Sequence, residues 1–254
     1  MSARPRVGLF VTCLVDLVRP QIGFAAVKLL EAAGCEVTVQ PTQTCCGQPA
    51  WNSGADAQAR AIARQVVDAF EGFDYVVAPS GSCAGMIKRH YPEVLKDDAE
   101  YLPKARALAG KTHELMSFLV RVRGMKNVDV QCDARLCYHD SCSNLREMGV
   151  RQEPRQLLTS VDGVSIHELS EPEVCCGFGG LFSVKYPEIS ERMADDKIAD
   201  GEASGADMLV GGDLGCLLHL AGRMKRQGKT MRVRHAAEVL AGMADQPALG
   251  ESET

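Results

Sequence analysis

The sequence contains no long hydrophobic run, no excess of positive charge and few aromatic residues. Aromatic side chains make up 5% of the 254 residues, and 28 Lys and Arg residues are outnumbered by 33 Asp and Glu residues, for a formal net charge of −5. The basic residues are scattered and form no stripe of the kind that follows a nucleic-acid backbone. No apolar stretch reaches the roughly 18 residues that a membrane-spanning helix needs. We therefore expect no nucleic-acid partner and no transmembrane segment.

The N-terminal segment also lacks the features of an export signal. Its apolar stretch at residues 7–15 is interrupted at Thr12, and no small-residue cleavage site follows it. This stretch is typical of a buried strand, so we expect a cytoplasmic protein. Thiols stay reduced in the cytoplasm, and the total of 11 cysteines is odd, which argues against a closed disulfide framework. The cysteines therefore indicate metal binding or redox chemistry.

Eight of the cysteines follow a pattern that occurs twice. Cys45-Cys46-Gly47 is repeated 130 positions later as Cys175-Cys176-Gly177. One cysteine precedes each pair and another follows it at closely similar distances, which predicts a tandem duplication. The first cysteine set is Cys13, Cys45, Cys46 and Cys83, and the second cysteine set is Cys142, Cys175, Cys176 and Cys216.

The segments between these cysteines alternate between strand and helix patterns. Short apolar runs at residues 6–13, 73–83 and 206–216 predict strands, with a Gly-containing turn or loop that delivers the last cysteine of each set. Helical periodicity marks residues 21–34, 55–71 and 187–205, and Gly34 and Gly205 are candidate helix stops. This alternation predicts an α/β fold in which each half is a three-layer domain on a mainly parallel sheet. We place the domains at residues 1–126 and 127–254, with a strand-like segment at residues 128–131.

The predicted topology brings the four cysteines of each set together. Ligands bind outside the carboxyl ends of the strands in such sheets, and the repeated cysteines follow predicted strands. Thiolates select iron-sulfur clusters, zinc or copper(I). Structural zinc usually uses close Cys-x2-4-Cys pairs, which neither half contains. Adjacent cysteines suit separate iron atoms better than one metal ion, so the pattern favours a cluster and leaves zinc as the alternative.

These motifs resemble those of a known family. The twofold spacing Cys-x31-Cys-Cys-Gly-x35-Cys resembles the CCG domain in the cysteine-rich subunit of heterodisulfide reductase and in the iron-sulfur subunit of glycolate oxidase. The lactate utilisation protein A family is more similar, on the segments Gly81-Ser-Cys-Ala-Gly-Met86, Tyr138-His-Asp-Ser-Cys142 and the run from Cys175 to Ser190. The resemblance extends from Val7 to about Leu240.

The resemblance implies a fold, an activity and partners. The fold would be a tandem duplication of a Rossmann-like CCG domain. The chain would be a cytoplasmic iron-sulfur oxidoreductase subunit that oxidises the 2-hydroxy acid L-lactate to pyruvate without NAD. It would act only with two partners, a ferredoxin-like iron-sulfur subunit and a third lactate-utilisation protein. The eight repeated cysteines would hold one or two clusters of the [4Fe-4S] type.

The sequence departs from the reductase pattern at one position in each half. The cysteine-rich subunit of heterodisulfide reductase ends its motif in Cys-x-x-Cys, which supplies five thiolates to a non-cubane cluster. Met86 and His219 stand where the fifth cysteine would be. Four thiolates satisfy an ordinary [4Fe-4S] cluster, and His219 could add a nitrogen ligand.

Three further residues are candidates for catalysis. His139 and Asp140 precede Cys142 and match the family motif, so they either hydrogen-bond a cluster sulfur and pass protons or form an exposed turn pair. Lys185 is a candidate for binding the substrate carboxylate, with a solvated lysine as the alternative.

Other residues have structural interpretations. Trp51 either covers the first cysteine set or lies in the core. Gly177 and its neighbours fit no complete phosphate-binding motif and indicate close approach of the backbone to a cluster or small ligand. The cysteines without a repeat counterpart are expected to be packing residues: Cys35, Cys132 and Cys137.

The leading hypothesis is a subunit of an iron-sulfur L-lactate oxidation system that passes electrons to a partner iron-sulfur subunit. Two alternatives stay open. One is a thiol or heterodisulfide reductase-like subunit, and the other is a non-catalytic electron-transfer or scaffold protein.

Overall fold

The computed structural model describes residues 4–251 and divides the chain into two compact units between Gly124 and Met125. This division lies two residues before the predicted one. Each unit contains one four-stranded parallel sheet with its own buried core. The predicted tandem α/β fold is confirmed.

The first unit has its sheet in the order β2-β1-β3-β4. The order follows from the chain path, because the chain leaves β1 for β2 on one side and returns to place β3 on the other. The middle strands are apolar and fully buried at Val7, Leu9, Val76 and Val77, which places them at the centre of the core. The strands are β1 (Arg6–Leu9), β2 (Glu36–Val39), β3 (Tyr75–Ala78) and β4 (Thr112–Glu114).

Helices connect these strands. The helices of the first unit are α1 (Cys13–Val18), α2 (Pro20–Ala32), α3 (Gln48–Asn52), α4 (Asp56–Phe70), α5 (Gly81–Gly85), α6 (Tyr91–Val94), α7 (Tyr101–Lys111) and α8 (Leu115–Ser117). Two π-helical turns, Met86–His90 and Phe118–Val122, continue α5 and α8.

The second unit repeats this arrangement with the strand order β6-β5-β7-β8. Its strands are β5 (Gln131–His139), β6 (Asp162–Ile166), β7 (Met208–Gly211) and β8 (Arg232–His235). Its helices are α9 (Gln152–Leu158), α10 (Leu181–Lys185), α11 (Pro187–Ala203), α12 (Leu214–Arg226) and α13 (Ala236–Leu240), and a π-helical turn spans Asn144–Met148.

Most predicted elements form close to their predicted bounds. The three predicted helices correspond to α2, α4 and α11, and Gly34 and Gly205 follow their helices with φ of +78° and +76°. Two details were wrong. Residues 128–130 form a loop, and β5 begins only at Gln131. The last cysteine of each set lies in the first turn of a helix and not in a loop.

Helices α4 and α11 occupy corresponding places in the two units. Every buried residue of α11 stands 131 positions after a buried residue of α4. The chemistry of these positions differs, because the α4 face is entirely apolar and the α11 face contains a lysine. The α4 face is Ala59, Ala63, Val66, Val67 and Phe70, and the α11 face is Ser190, Ala194, Lys197, Ile198 and Gly201.

Among residues 4–251, none of the helices combines the length and the apolar character required to cross a bilayer.

Candidate metal centres

The first cysteine set lies at the carboxyl edge of its sheet, in which β2 and β3 pair with opposite sides of β1. Cys13 opens α1, whose N-cap Thr12 accepts a hydrogen bond from the Val15 amide at 3.3 Å. Cys83 lies in α5 and donates its amide hydrogen to the Ser80 hydroxyl at 3.4 Å. The Cys45-Cys46 loop follows β2. Strand order thus brings together cysteines that are up to 70 positions apart in sequence.

The four thiols of this set form a continuous chain of contacts. The Sγ atoms of Cys13 and Cys45 are 3.9 Å apart, and Cys46 hydrogen-bonds both Cys45 and Cys83. The Gly47 amide donates to Cys45 Sγ at 3.4 Å. The buried Tyr91 hydroxyl donates to the Cys46 carbonyl at 2.9 Å and holds the loop against the helix that follows Cys83.

The second cysteine set has the same arrangement. Hydrogen bonds link Cys142 to Cys175, Cys175 to Cys176, and Cys176 to Cys216. The Gly177 amide donates to Cys175 Sγ at 3.4 Å, as Gly47 does in the first unit. The structure therefore brings together all eight cysteines that the repeat singled out, in two sets of four.

The thiols of each set strongly perturb one another. Hydrogen bonds from Cys13 and Cys46 lower the pKa of Cys45 to about 2, and the same bonds raise the pKa of Cys13 and Cys46 far above the ordinary thiol value. The second set behaves alike around Cys175, whose pKa also falls to about 2. Each set thus favours one thiolate and resists further ionisation, because additional negative charges would repel one another. A cationic metal centre removes this obstacle, so the donor sets fit a thiolate-bound metal or cluster.

A cavity of about 290 Å³ opens beside Cys13 and Cys45. Among the described residues that line it, Asp16 is charged and none is basic. An anionic substrate would meet no compensating positive charge there.

His139 and Asp140 are buried and do not form an exposed turn. They are 1% and 2% exposed. The Arg155 guanidinium donates two hydrogen bonds to the Asp140 carboxylate at 2.9 and 2.8 Å and also binds Glu168. Asp140 is therefore held in an ion pair.

The histidine has a different environment. Within residues 4–251, neither ring nitrogen of His139 has a hydrogen-bond partner. Burial, together with the charge of Lys197, lowers its pKa to about 4. One ring nitrogen and the Sγ atoms of Cys176 and Cys216 all lie within 4.8 Å of one another. A ring nitrogen of His139 therefore lies close enough to the second cysteine set to contact a metal bound there.

His219, the other candidate nitrogen ligand, contacts a serine hydroxyl. His219 Nε2 lies 3.2 Å from the hydroxyl of Ser190, which in turn donates to the Gly177 carbonyl at 2.8 Å. Met86, its counterpart in the first unit, is fully buried.

Gly177 is required by a close approach of protein backbone, and its proximity to a cluster or ligand stays a prediction. Its φ is +85°, and a Cβ atom there would lie 2.5 Å from the Ser190 carbonyl oxygen. The glycine lets the Cys-Cys loop pack against α11. The side chain of Lys185 is exposed at the end of α10, and Trp51 is half-buried with its ring 6.3 Å from that of His90.

The three unmatched cysteines lie outside the sets. Cys35 and Cys137 are buried, as expected of packing residues, and Cys132 is half-buried on β5.

Two charged residues near the second set escaped prediction. Arg155 is bound to Asp140, and Lys197 is 1% exposed with its Nζ donating to the Glu171 carbonyl at 2.5 Å. Lys197 was detectable in principle, because it lies at helical spacing with Ala194 and Gly201 on the apolar stripe of α11. Arg155 carried no sequence signal.

Comparison with known proteins identifies the relatives of this chain. The family model of the CCG cysteine-rich domain matches residues 7–88 and 136–221. Lactate utilization protein A of Geobacillus sp. (strain WCH70) is 49% identical over 235 residues, which are 92% of this chain and 98% of that protein. Lactate utilization protein A of Halalkalibacterium halodurans is 46% identical over 92% of this chain and 96% of its own length.

A solved structure shares the fold. The crystal structure of a hypothetical protein from Helicobacter pylori superposes with a TM-score of 0.64 at 14% identity over 96% of this chain, which spans 50% of that longer chain. The domain matches cover both cysteine sets, and the relatives align over 92% of the chain. The chain belongs to the lactate utilization protein A family, with two CCG cysteine-rich domains.

Proposed function

We propose that this protein is an iron-sulfur subunit of a cytoplasmic system that oxidises L-lactate to pyruvate. The observation that carries the proposal is the convergence of four thiols in each unit, in a chain whose relatives are named for lactate utilization. Oxidation of lactate releases two electrons and two protons. The electrons would pass to a ferredoxin-like iron-sulfur partner subunit, and a third lactate-utilisation protein would complete the system.

The residues of the chain would hold and insulate the centres. Cys13, Cys45, Cys46 and Cys83 would ligate one cluster, and Cys142, Cys175, Cys176 and Cys216 the other. When bound, such a cluster supplies one-electron transfer. The amides of Gly47 and Gly177 donate to cysteine sulfur, an interaction that favours the thiolate form.

The substrate would approach the second unit more readily than the first. The cavity beside Cys13 is lined by Asp16 and by no basic residue of the described chain, whereas the second unit exposes Lys185. We keep Lys185 as a proposed carboxylate ligand. The variant Lys185→Met should raise the KM for lactate of the reconstituted three-protein system more than it lowers kcat, and an unchanged KM would remove this role.

Metal analysis tests the cofactor. Protein purified anaerobically should contain iron and acid-labile sulfide in equal amounts, about four to eight of each per chain for one or two clusters. The reduced protein should give an EPR signal. Stoichiometric zinc without sulfide would contradict the proposal.

Growth on L-lactate tests whether the cysteine sets are needed for lactate oxidation. The variants Cys46→Ala and Cys176→Ala should abolish growth on L-lactate and leave growth on pyruvate intact, because each removes a ligand from one set. Cys132→Ala is the matched control, since Cys132 lies outside both sets, and it should grow on both carbon sources. Undiminished growth of Cys46→Ala and Cys176→Ala on lactate would exclude a role for the sets.

Reconstitution tests the need for partners. The isolated chain should show no lactate-dependent reduction of an artificial electron acceptor, whereas the three proteins together should. Turnover by the chain alone would show that it does not depend on partner proteins.

A further inference from the structure

The two cysteine sets differ at the position three residues before their first cysteine. His139 ends β5 before Cys142, and Phe10 follows β1 before Cys13. Both side chains are buried at corresponding places in the duplicated fold. The same position is therefore an apolar packing residue in one unit and a potential metal ligand in the other.

The helix faces near these two residues also differ, because the face in the first unit is more apolar than the face in the second. Phe10 packs against Phe70 of α4 with ring centroids 5.6 Å apart. The counterpart of Phe70 in α11 is Gly201, which lies beside Met231 and Cys137 and has no aromatic ring to offer. Val66 of α4 is matched by Lys197, whose charge is close enough to His139 to affect its pKa. The buried face of α11 thus contains a charged residue, whereas the buried face of α4 is entirely apolar.

His139 is unsatisfied without a further group. It is 1% exposed, and neither nitrogen has a hydrogen-bond partner within residues 4–251. Burying a polar group without a partner costs free energy, and native proteins seldom tolerate it without a reason. The adjacent Cys176 and Cys216 present sulfur atoms within 4.8 Å of the ring, which is a spacing that one metal centre can bridge.

We infer that His139 is a metal ligand in the second unit, on the side of Cys176 and Cys216, so that the two centres of one chain have different ligands. The first centre would be bound by thiolates alone, and the second by thiolates and one imidazole. This inference rests on the proposed function for the identity of the centre as an iron-sulfur cluster. The ligation itself follows from the buried, unpartnered ring and its distance from the two sulfur atoms.

Pulsed EPR detects such a ligand without reference to activity. Reduced protein should show a strong hyperfine coupling from a histidine nitrogen, and labelling with 15N-histidine should change this coupling to that of 15N. The variant His139→Phe, which installs the residue of the first unit, should lose the coupling. The matched control His219→Met, which installs the residue found at Met86, should retain it.

The outcomes separate the two proposals. A histidine coupling that is absent from wild type, or that survives in His139→Phe, overturns the inference while leaving the cluster in place. If His139→Phe fails to fold, a 15N-histidine coupling retained in His219→Met still supports it, and a coupling lost there overturns it. If the protein binds zinc and no sulfide, the proposed function fails, and 113Cd-substituted protein then decides the ligand by the presence or absence of 113Cd–15N coupling at His139.

Discussion

At the scale of single residues, the environment of His113 predicts a pH-dependent stability. This side chain lies on β4 and packs beside the rings of Tyr75 and Phe118, with centroids 5.8 and 5.7 Å away. Burial, with a smaller effect from Lys88, lowers its pKa from 6.5 to about 4. The unfolded chain therefore binds a proton below pH 6.5 that the folded chain accepts only near pH 4, so stability falls as the pH falls through this range.

The variant His113→Phe should remove this part of the pH dependence. We expect wild type to lose about 1–2 kcal/mol more of its unfolding free energy than the variant between pH 7 and pH 4.5. Urea denaturation of the metal-free proteins at both pH values measures the difference. Parallel losses in the two proteins would show that His113 titrates normally in the fold.

Gly177 illustrates a glycine that two constraints require. The variant Gly177→Ala would combine a left-handed backbone with a Cβ atom 2.5 Å from the Ser190 carbonyl oxygen, so it should lower the unfolding free energy by about 3 kcal/mol or more. The control Gly54→Ala has a similar φ of +77° and an open environment, so it should cost about 1 kcal/mol. Equal losses by urea denaturation would contradict the proposed close packing of the loop on α11.

Sequence patterns predicted the two cysteine sets better than they predicted the residues around them. The eight cysteines were predictable because a repeated spacing is a property of the sequence itself. The different environments of His139 and Asp140 were not predictable, since they depend on Arg155, which reaches Asp140 from helix α9. Sequence offered His219 as a possible nitrogen ligand because it stands at the missing cysteine, whereas the structure places a ring nitrogen of His139 within 4.8 Å of two sulfur atoms.

At the scale of elements, one arginine ties three segments of the second unit together. Arg155 of α9 binds Asp140 after β5 and Glu168 after β6, and its guanidinium lies 5.2 Å from the centre of the Tyr138 ring. The side chain of Asp140 is 1% exposed, so loss of its partner would leave a buried charge without compensation.

The variant Arg155→Ala should therefore lower the unfolding free energy by about 3–5 kcal/mol. Arg192→Ala is the control, because the pair of Arg192 and Asp196 is exposed on α11 and should contribute less than about 1 kcal/mol. Chemical denaturation at pH 7 measures both. A loss in Arg155→Ala as small as that of the control would show that Asp140 finds another partner.

Element order was predictable, whereas element boundaries were less so. Alternating strand and helix periodicity with Gly34 and Gly205 as stops predicted the central helices to within two residues. The helical placement of Cys83 was missed because its N-cap, Ser80, lies in a Gly- and Ser-containing segment that is equally typical of a turn. The start of β5 at Gln131 depends on the pairing of that residue with β6, and no local sequence pattern specifies this pairing.

At the scale of the whole molecule, each cysteine set is drawn entirely from one unit. A substitution in one set should therefore leave the other set able to bind metal. In anaerobically prepared protein, Cys46→Ala and Cys176→Ala should each remove about half of the iron of a chain that binds two [4Fe-4S] clusters, and the EPR signals that survive in the two variants should differ. Loss of all iron in either variant would show that the sets depend on each other.

The duplication was the most predictable feature of the molecule, and the difference between its halves was the least. Spacing alone revealed the repeat, since every cysteine of the first set has a partner in the second. The contrast between Phe10 and His139, or between Val66 and Lys197, acquires meaning only when the buried faces of α4 and α11 are compared in three dimensions.

The placement of both cysteine sets on one polypeptide also determines their stoichiometry. Two centres carried by separate proteins would vary in ratio with the expression of two genes and would have to meet by diffusion. Here every translated chain contains one thiolate set of each kind, so the ratio is one to one at any level of synthesis. No change in the level of expression can separate one set from its counterpart.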